Sequence, residues 1–524
     1  SIMHLQCFHA CYQSCVNVST LESALADSCQ HCGDAMAKSQ ASGARTKATA
    51  RRTKPKASMM KPKRATKHSS SRGSCVAGFP TCTPEQAGLD PRAFEALKAA
   101  TSRNITDLGG LSGCAHVVLK DGKCVFTHCL GVSDQGKRTP FSLDTLCPLH
   151  GATKPLVAAA FYTLVEEGKV RLSDPIEKHI LFPSRVAVGA DASSSRPVKT
   201  IATVRHLLAM TAGIGYDDFA GYAAAMKGVD HGDIDDLPSM CEAILAKPLQ
   251  HQPGRGYHYS FSTDVLGYLC EAISGERIDK FIHKRILAPL GMKDTHFEQV
   301  LPKQKRKRLA VLYKVINYPR QKVKKVKGKR VRHPPFALKE AKFKHSAPGI
   351  MSCGGGVLSY RDYGMVSSPR DYLRFCQMLL EGGRIPGTRQ RLFKASTVKS
   401  WWTNSLKSCQ KEDGRIHGWT DAPSPPNQPP NYWKGVGWTL LNTHVNLRKA
   451  KDGKSFATTG HEMWMGGGGG AFWFIDAKRK VVSLTFAPII GGRATEDDGL
   501  GPLANDAAPY VVSLPKVNKK LSKA

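Results

Sequence analysis

The sequence lacks an apolar run long enough to cross a membrane. A helix that spans a bilayer needs about 20 mainly apolar residues, and the longest candidate, residues 156–165, is much shorter. We therefore predict a soluble protein in which these residues form a buried helix. Hydrophobic residues make up 41% of the 524 residues, near the usual share for a globular protein, so a core can form.

Acidic residues are missing from two long segments. Residues 35–83 and 303–332 contain no Asp or Glu, and both are rich in Lys and Arg. Over the whole chain, 76 Lys and Arg face 42 Asp and Glu, which gives a formal net charge of +34. This imbalance predicts a polyanionic partner, most often nucleic acid and sometimes an anionic membrane. The alternative for any single basic segment is a solvated loop.

The 16 cysteines show no regular framework. Nine are scattered from Cys114 to Cys409, which is typical of buried free thiols in a reducing, intracellular compartment. Five others lie near the start of the chain, where a metal site, a disulfide clip or plain thiols are the alternatives, with plain thiols favoured. These five are Cys7, Cys11, Cys15, Cys29 and Cys32.

The first 83 residues do not have the pattern of a folded domain. Their start lacks the basic stretch followed by an apolar block that marks a secretory signal. The composition of residues 35–83 fits either a transit peptide, which would indicate a mitochondrion or another organelle, or a retained tail that binds a polyanion. Ser1 is interpreted as either a processed terminus or an incomplete start. We predict that residues 1–83 are disordered in isolation.

The rest of the chain predicts one α+β domain over residues 84–510, followed by a basic tail at 511–524. Two apolar runs around Asp121-Gly122 indicate a hairpin, and three later runs near residues 435–441, 471–476 and 481–486 indicate strands. Helical spacing of apolar residues occurs between these two groups. An antiparallel sheet made from both ends of the domain, flanked by helices and joined to a helical region, is therefore expected.

One helix start carries a lysine without the serine that usually accompanies it. Lys154 opens the apolar run, and Gly151 lies three residues before it. The segment 144–175 resembles the active-site helix of the serine β-lactamase/penicillin-binding family, in its class C/esterase branch, where Ser-x-x-Lys holds the nucleophile. The resemblance implies the β-lactamase/transpeptidase-like fold. It also implies that Gly151 stands at the position of the nucleophile, which glycine cannot replace.

Two further elements of that family resemble segments of this chain. Tyr259 falls at the position of the family's tyrosine, which acts as a general acid or base near the lysine, whereas Phe261 replaces the usual amide. The resemblance places the strand that supplies an oxyanion donor at Met465, Gly466, Gly467 and Gly468, in a register open to a shift of a few residues. The glycine run that follows indicates either close approach of the backbone to a ligand or a flexible strand edge.

Residues 301–335 form a basic insert that we expect to project from the body and to bind a polyanion. Apolar residues at 311–316 and again at 323–331, with lysines between them, suggest a strand pair. Its candidate contact residues are Lys303, Lys305, Arg306, Lys307, Arg308, Lys322, Lys324, Lys325, Lys327, Lys329, Arg330 and Arg332.

Three functional hypotheses remain open on the sequence. The first is an inactive member of the family that acts as a binding or structural component of an assembly containing RNA or another polyanion. The second is a working esterase, amidase or peptidase whose nucleophile lies elsewhere. The third is a self-associating scaffold without nucleic acid. None of the three needs a metal or a cofactor.

Overall fold

We describe the fold from a computed structural model of the chain. The structure describes residues 78–490, except 108, 189–193, 217–219, 318–324, 327–328, 331–335, 342–348, 356–362, 410–415, 417–434 and 449–458. These residues belong to one compact unit. The cysteines before Cys82, the basic segment at 35–77 and the predicted tail at 511–524 lie outside the described residues.

The described chain enters the fold a few residues before the predicted boundary at 84. The backbone N–H of Cys82 donates to the carbonyl of Cys124, and the N–H of Cys124 donates to the carbonyl of Pro80. Phe79 is buried in the main hydrophobic core. Residues 79–82 therefore pair with the body rather than preceding it.

The central sheet has eight strands, and all its neighbouring strands are antiparallel. Its order is β13-β14-β15-β16-β17-β1-β2-β3, so strands from both ends of the domain meet where Val117 of β1 pairs with Leu484 of β17. The bounds are β1 Gly113–Lys120, β2 Lys123–Asp134, β3 Thr139–Pro140, β13 Val436–Trp438, β14 His444–Asn446, β15 Glu462–Gly467, β16 Ala471–Asp476 and β17 Val481–Phe486.

Smaller strand pairs surround this sheet. Strand β12 lies between β4 and β7, β8 lies between β11 and β18, and β5 pairs with β6 and β9 with β10. Their bounds are β4 Cys147–Pro148, β5 Arg185–Val188, β6 Ser194–Pro197, β7 His296–Phe297, β8 Tyr313–Asn317, β9 Lys325–Val326, β10 Lys329–Arg330, β11 Phe336–Glu340, β12 Met365–Ser367 and β18 Ile489–Ile490.

Helices cover the sheet and form a separate helical region. Helix α1 packs on β2, α9 packs on β16 and β17, and α2 packs against α6. The bounds are α1 Pro91–Thr106, α2 Lys154–Glu166, α3 Val204–Leu208, α4 Ala220–His231, α5 Leu237–Leu245, α6 Ser262–Ser274, α7 Ile278–Ile282, α8 Lys303–Arg306, α9 Pro369–Leu380 and α10 Ala395–Trp401.

The predicted α+β fold with an antiparallel sheet is confirmed. Helix α2 shows why the central apolar run could not be a membrane span: it has 13 residues, and ten of them are buried within the protein. Among the described residues, no helix combines the length and the hydropathy needed to cross a bilayer. None of the described cysteines takes part in a disulfide.

Candidate functional site

A tight turn delivers the chain into helix α2. Residues His150–Thr153 form one turn of 3-10 helix, and Lys154 begins α2 directly after it. His150 is buried with a φ of +44°, which is costly for a residue with a side chain. The hydroxyl of Thr153 accepts a hydrogen bond of 3.0 Å from the N–H of Met365. Strand β12 therefore holds this turn in place.

Lys154 is completely buried, yet its ammonium group has a polar partner. Its Nζ donates a hydrogen bond to the carbonyl oxygen of Gly354 and lies 4.3 Å from the centre of the Tyr259 ring. A cation over the face of an aromatic ring is attracted by the ring quadrupole. The structure thus brings together Lys154 and Tyr259, two residues far apart in the chain.

Asp264 supports this lysine from the other side of Gly354. Its carboxylate is buried and accepts a hydrogen bond of 2.8 Å from the N–H of Gly354. A Cβ atom on Gly354 would overlap the Asp264 carboxylate, so only glycine fits between the acid and Lys154. The sequence analysis missed Asp264 and Gly354. A buried acid among the apolar positions of α6 was the signal available.

Tyr259 lies at the centre of a group of aromatic rings. Its ring is 5.8 Å from that of Tyr216 and 5.9 Å from that of Trp438, and the Trp438 ring is nearly perpendicular to it. Phe261, two residues later, is buried and meets Tyr216 edge-on at 5.0 Å. The position that carries an amide in the resembled family is therefore part of the apolar packing here.

Strand β15 closes against Gly151. A Cβ atom placed on Gly151 would lie 2.9 Å from the carbonyl oxygen of Gly466, 2.9 Å from the Tyr259 hydroxyl and 3.4 Å from Cε of Met465. The first two distances are shorter than carbon–oxygen contacts normally allow. Gly466, within the predicted segment, is thus the strand residue whose carbonyl faces Gly151. A serine side chain at position 151 would require these groups to shift.

The glycine run after Met465 packs against the same turn. A Cβ atom on Gly467 would overlap the carbonyl oxygen of Leu149, and one on Gly469 would come within 2.9 Å of Nε2 of His150. By contrast, a Cβ atom on Gly468 would meet nothing within 4 Å. Two glycines of this run therefore allow close approach of the backbone to the turn before α2.

Burial keeps the histidine beside this site uncharged. The imidazole of His150 is 4% exposed, and burial, with a smaller effect from the Lys154 charge, lowers its pKa to about 4. A neutral ring is therefore the form present near pH 7. His150 lies beside Tyr363, with ring centres 5.8 Å apart.

The first part of the basic insert does not project from the body. Helix α8 and the residues after it are held by acids that lie outside the insert in sequence. Asp294 pairs with Lys305 at 3.0 Å and with Arg308 at 2.6 Å, and the buried Glu298 pairs with Arg306 at 2.8 Å. Backbone pairing also ties residues 308–310 to Leu146. The expectation of uncompensated charge is therefore wrong for these three basic residues.

The other candidate contact residues of the insert divide into two groups. Lys303, at the start of α8, and Lys307, directly after it, are exposed. Strands β9 and β10 place the backbones of Lys325, Lys329 and Arg330 in a short antiparallel pair. The predicted pair joined residues 311–316 with 323–331, whereas strand β8 pairs with β11 and β18 instead. The side chains of Lys325, Lys329 and Arg330 lie outside the described part of the chain. The same holds for the whole of Lys322, Lys324, Lys327 and Arg332.

No cluster of three or more His, Cys, Asp or Glu side chains within the described residues is arranged to hold a metal ion.

Comparison with known proteins shows the family to which the chain belongs. A family model described as Beta-lactamase matches residues 101–487. The chain belongs to the β-lactamase family. The match includes Gly151, Lys154, Tyr259 and strand β15.

Two relatives align with this chain over different lengths. Protein Rv1367c of Mycobacterium tuberculosis is 29% identical over 395 residues, which cover 74% of this chain and 88% of that protein. Esterase EstB of Burkholderia gladioli is 29% identical over 232 residues, which cover 42% of this chain and 57% of that protein.

Solved structures agree with the family assignment. Unliganded simvastatin synthase (LovD) from Aspergillus terreus matches with a TM-score of 0.61 at 18% identity, over 81% of this chain and 99% of that one. EstCE1, described as a hydrolase with promiscuous acyltransferase activity, matches with a TM-score of 0.57 at 17% identity, over 81% of this chain and 99% of that one. At these identities the likeness shows the shared fold.

Proposed function

We propose that this chain is a β-lactamase family member without serine-based acyl transfer, and that it acts as a binding or structural component. The observation that carries the proposal is the position of Gly151. By the resemblance of its segment to the family motif, it takes the place of the nucleophile, and Gly466 and Tyr259 crowd the site of its missing Cβ. In serine hydrolases, loss of the nucleophile removes most of the rate acceleration, about a million-fold in one protease.

The test is covalent labelling of the whole chain. We expect no mass increase after incubation with a fluorophosphonate or a β-lactam, because no hydroxyl is present at position 151. An active esterase of the same family, treated in parallel, provides the positive control. A stoichiometric adduct on this chain would overturn the proposal and favour the second hypothesis, a working hydrolase with another nucleophile. Peptide mapping of the adduct would then identify that residue.

We also propose that the partner is RNA or another polyanion, and the charge distribution supports this. The formal net charge is +34, and residues 35–83 contain no acid. Because Lys305, Arg306 and Arg308 pair with acids of the body, the proposed contacts narrow to Lys303, Lys307, the basic residues at 322–332 and the N-terminal segment. Lys305, Arg306 and Arg308 would then hold the base of the insert.

Salt dependence tests the polyanion proposal. Binding through six or more phosphates should weaken by about a thousandfold when the salt concentration rises fourfold. Replacing Lys303 and Lys307 by Gln should flatten that dependence, whereas the same change at Lys399 and Lys407, exposed lysines outside the basic segments, should leave it unaltered. Affinity that ignores salt would favour the third hypothesis, a self-associating scaffold, which sizing chromatography after nuclease treatment would reveal.

A further inference from the structure

We propose that Met465 closes the cleft at position 151, so that restoring a serine there is not enough to restore acylation. The inference rests on the proposed loss of the nucleophile and identifies the residue that accompanies it. Met465 is 2% exposed, and its Cε lies 3.4 Å from the position of a Cβ atom on Gly151. An acyl group on a serine would begin two bonds beyond that atom.

The three groups around position 151 differ in how easily they can move. The carbonyl of Gly466 belongs to strand β15, where Gly466 pairs with Phe472 of β16, so it cannot retreat without disturbing the sheet. The Tyr259 hydroxyl is the end of a side chain held between Tyr216 and Trp438. The thioether of Met465 is the flexible member of the group. Shortening this side chain therefore makes room for the acyl group beyond the Cβ atom, while the Gly466 carbonyl and the Tyr259 hydroxyl still shift to admit the Cβ atom itself.

A neighbouring methionine on the same strand provides a matched control. Met463 is also buried, and alternation along a strand places it on the same face as Met465, about 7 Å away. Met463 pairs with Ile475, whereas Met465 pairs with Trp473. No atom of Met463 is among the three nearest to the Cβ position of Gly151. Truncating Met463 removes a similar apolar volume without opening the cleft.

The experiment compares labelling rates of four full-length variants with a fluorophosphonate. These are G151S, G151S/M465A, G151S/M465V and G151S/M463A. In the reaction, the serine oxygen bonds to phosphorus as the phosphorus–fluorine bond breaks. Fluoride leaves, and the hydroxyl proton passes through the adjacent Tyr259 to solvent. Circular dichroism and the urea midpoint show that each variant is folded, and the valine variant serves if alanine at 465 does not fold.

We expect G151S and G151S/M463A to react slowly, and a Met465 double variant to react at least tenfold faster. Adding Lys154→Met to that double variant should abolish the gain. Equal rates in G151S and the Met465 variants would overturn the role of Met465, as would the absence of labelling in folded variants. Neither result would affect the proposed loss of the nucleophile, which fails only if the unchanged chain is itself labelled.

Discussion

Three buried histidines should make the stability of this fold sensitive to acid. Burial lowers the pKa of His116 to about 3, of His150 to about 4 and of His444 to about 3, from the ordinary value of 6.5. The unfolded chain exposes all three rings. Between pH 6.5 and pH 4, the unfolded state therefore binds protons that the folded state does not, and the free energy of unfolding falls with the pH.

The size of the effect follows from these values. One pKa unit corresponds to about 1.4 kcal/mol, so a drop from pH 7 to pH 5 costs about 2 kcal/mol for each histidine and about 6 kcal/mol for the three. Asp371 acts in the opposite direction, because burial raises its pKa to about 6. The stabilisation from its protonated form is complete at low pH and is lost as the pH rises through 6. Acidification from pH 7 to pH 5 therefore raises the free energy of unfolding by about 1 kcal/mol through Asp371.

Other buried acids add to the contribution of Asp371. Burial raises the pKa of Glu271 and of Asp476 above their ordinary values, so their protonation on acidification also favours the folded state. The three histidines and Asp371 together should lower the free energy of unfolding by about 5 kcal/mol between pH 7 and pH 5, and protonation of Glu271 and Asp476 makes this fall smaller.

Urea unfolding at pH 7, 6 and 5, followed by tryptophan fluorescence, measures this change. The variant His444→Phe provides an internal comparison. The His444 ring lies parallel to that of Trp464 with their centres 3.9 Å apart, so phenylalanine preserves the stacking and cannot titrate. It should recover about 2 kcal/mol of the loss at pH 5. A free energy of unfolding that is constant or rises from pH 7 to pH 5 would refute the reasoning.

Five further substitutions at four positions probe the packing around the site and the insert by urea unfolding. Gly467→Ala should lower the free energy of unfolding by about 3 kcal/mol because its methyl group overlaps backbone, whereas Gly468→Ala, in open space, should leave it nearly unchanged. Equal effects of the two substitutions would contradict the described packing. Asp264→Ala should lower the free energy of unfolding by about 2 kcal/mol because the buried N–H of Gly354 loses its acceptor, and Asp264→Asn should lower it less. A larger loss for Asn than for Ala would contradict the role of this hydrogen bond. Arg306→Gln should cost about 1 kcal/mol because Glu298 remains buried beside it, and an unchanged midpoint would show that the pair contributes nothing.

A turn or capping residue predicted a structural element correctly only where the apolar pattern around it indicated the same element. The hairpin at Asp121-Gly122 could be predicted because Asp and Gly tolerate a positive φ in a two-residue turn. Both residues do adopt a positive φ in the structure. By contrast, Thr83 is of a residue type that favours helix starts, and it does exchange hydrogen bonds with Gln86. The helix begins only at Pro91, with Asp90 as its cap, where a continuous buried face becomes available.

The site shows the same division between local and distant information. The resemblance to the motifs of the family pointed to Gly151, Lys154 and Tyr259. Nothing in the sequence connects Asp264 with Lys154, because their link is the backbone of Gly354 in a third segment. Such contacts depend on how the segments pack, and a single sequence does not contain that information.

The charge of the insert illustrates a different limit. The sequence shows Lys305 and Arg308 in a segment without acids, which suggests that their charges face solvent. Their partner, Asp294, precedes the segment by several residues, and a carbonyl at Asp144 also accepts from Arg308. Net charge over a window therefore predicts the long-range field of the protein, but it does not predict which charges are paired.

The pairing of β1 with β17 has a consequence for how this chain reaches its native state. The two strands are joined in register from Ala115 with Phe486 to Lys120 with Val481, so more than 350 residues separate each pair. Contacts of such long range close large loops before they contribute stability, and proteins dominated by them fold slowly. During synthesis, β1 and β2 leave the ribosome long before β17 exists. Until then, one edge of β1 remains unpaired and open to incorrect pairing.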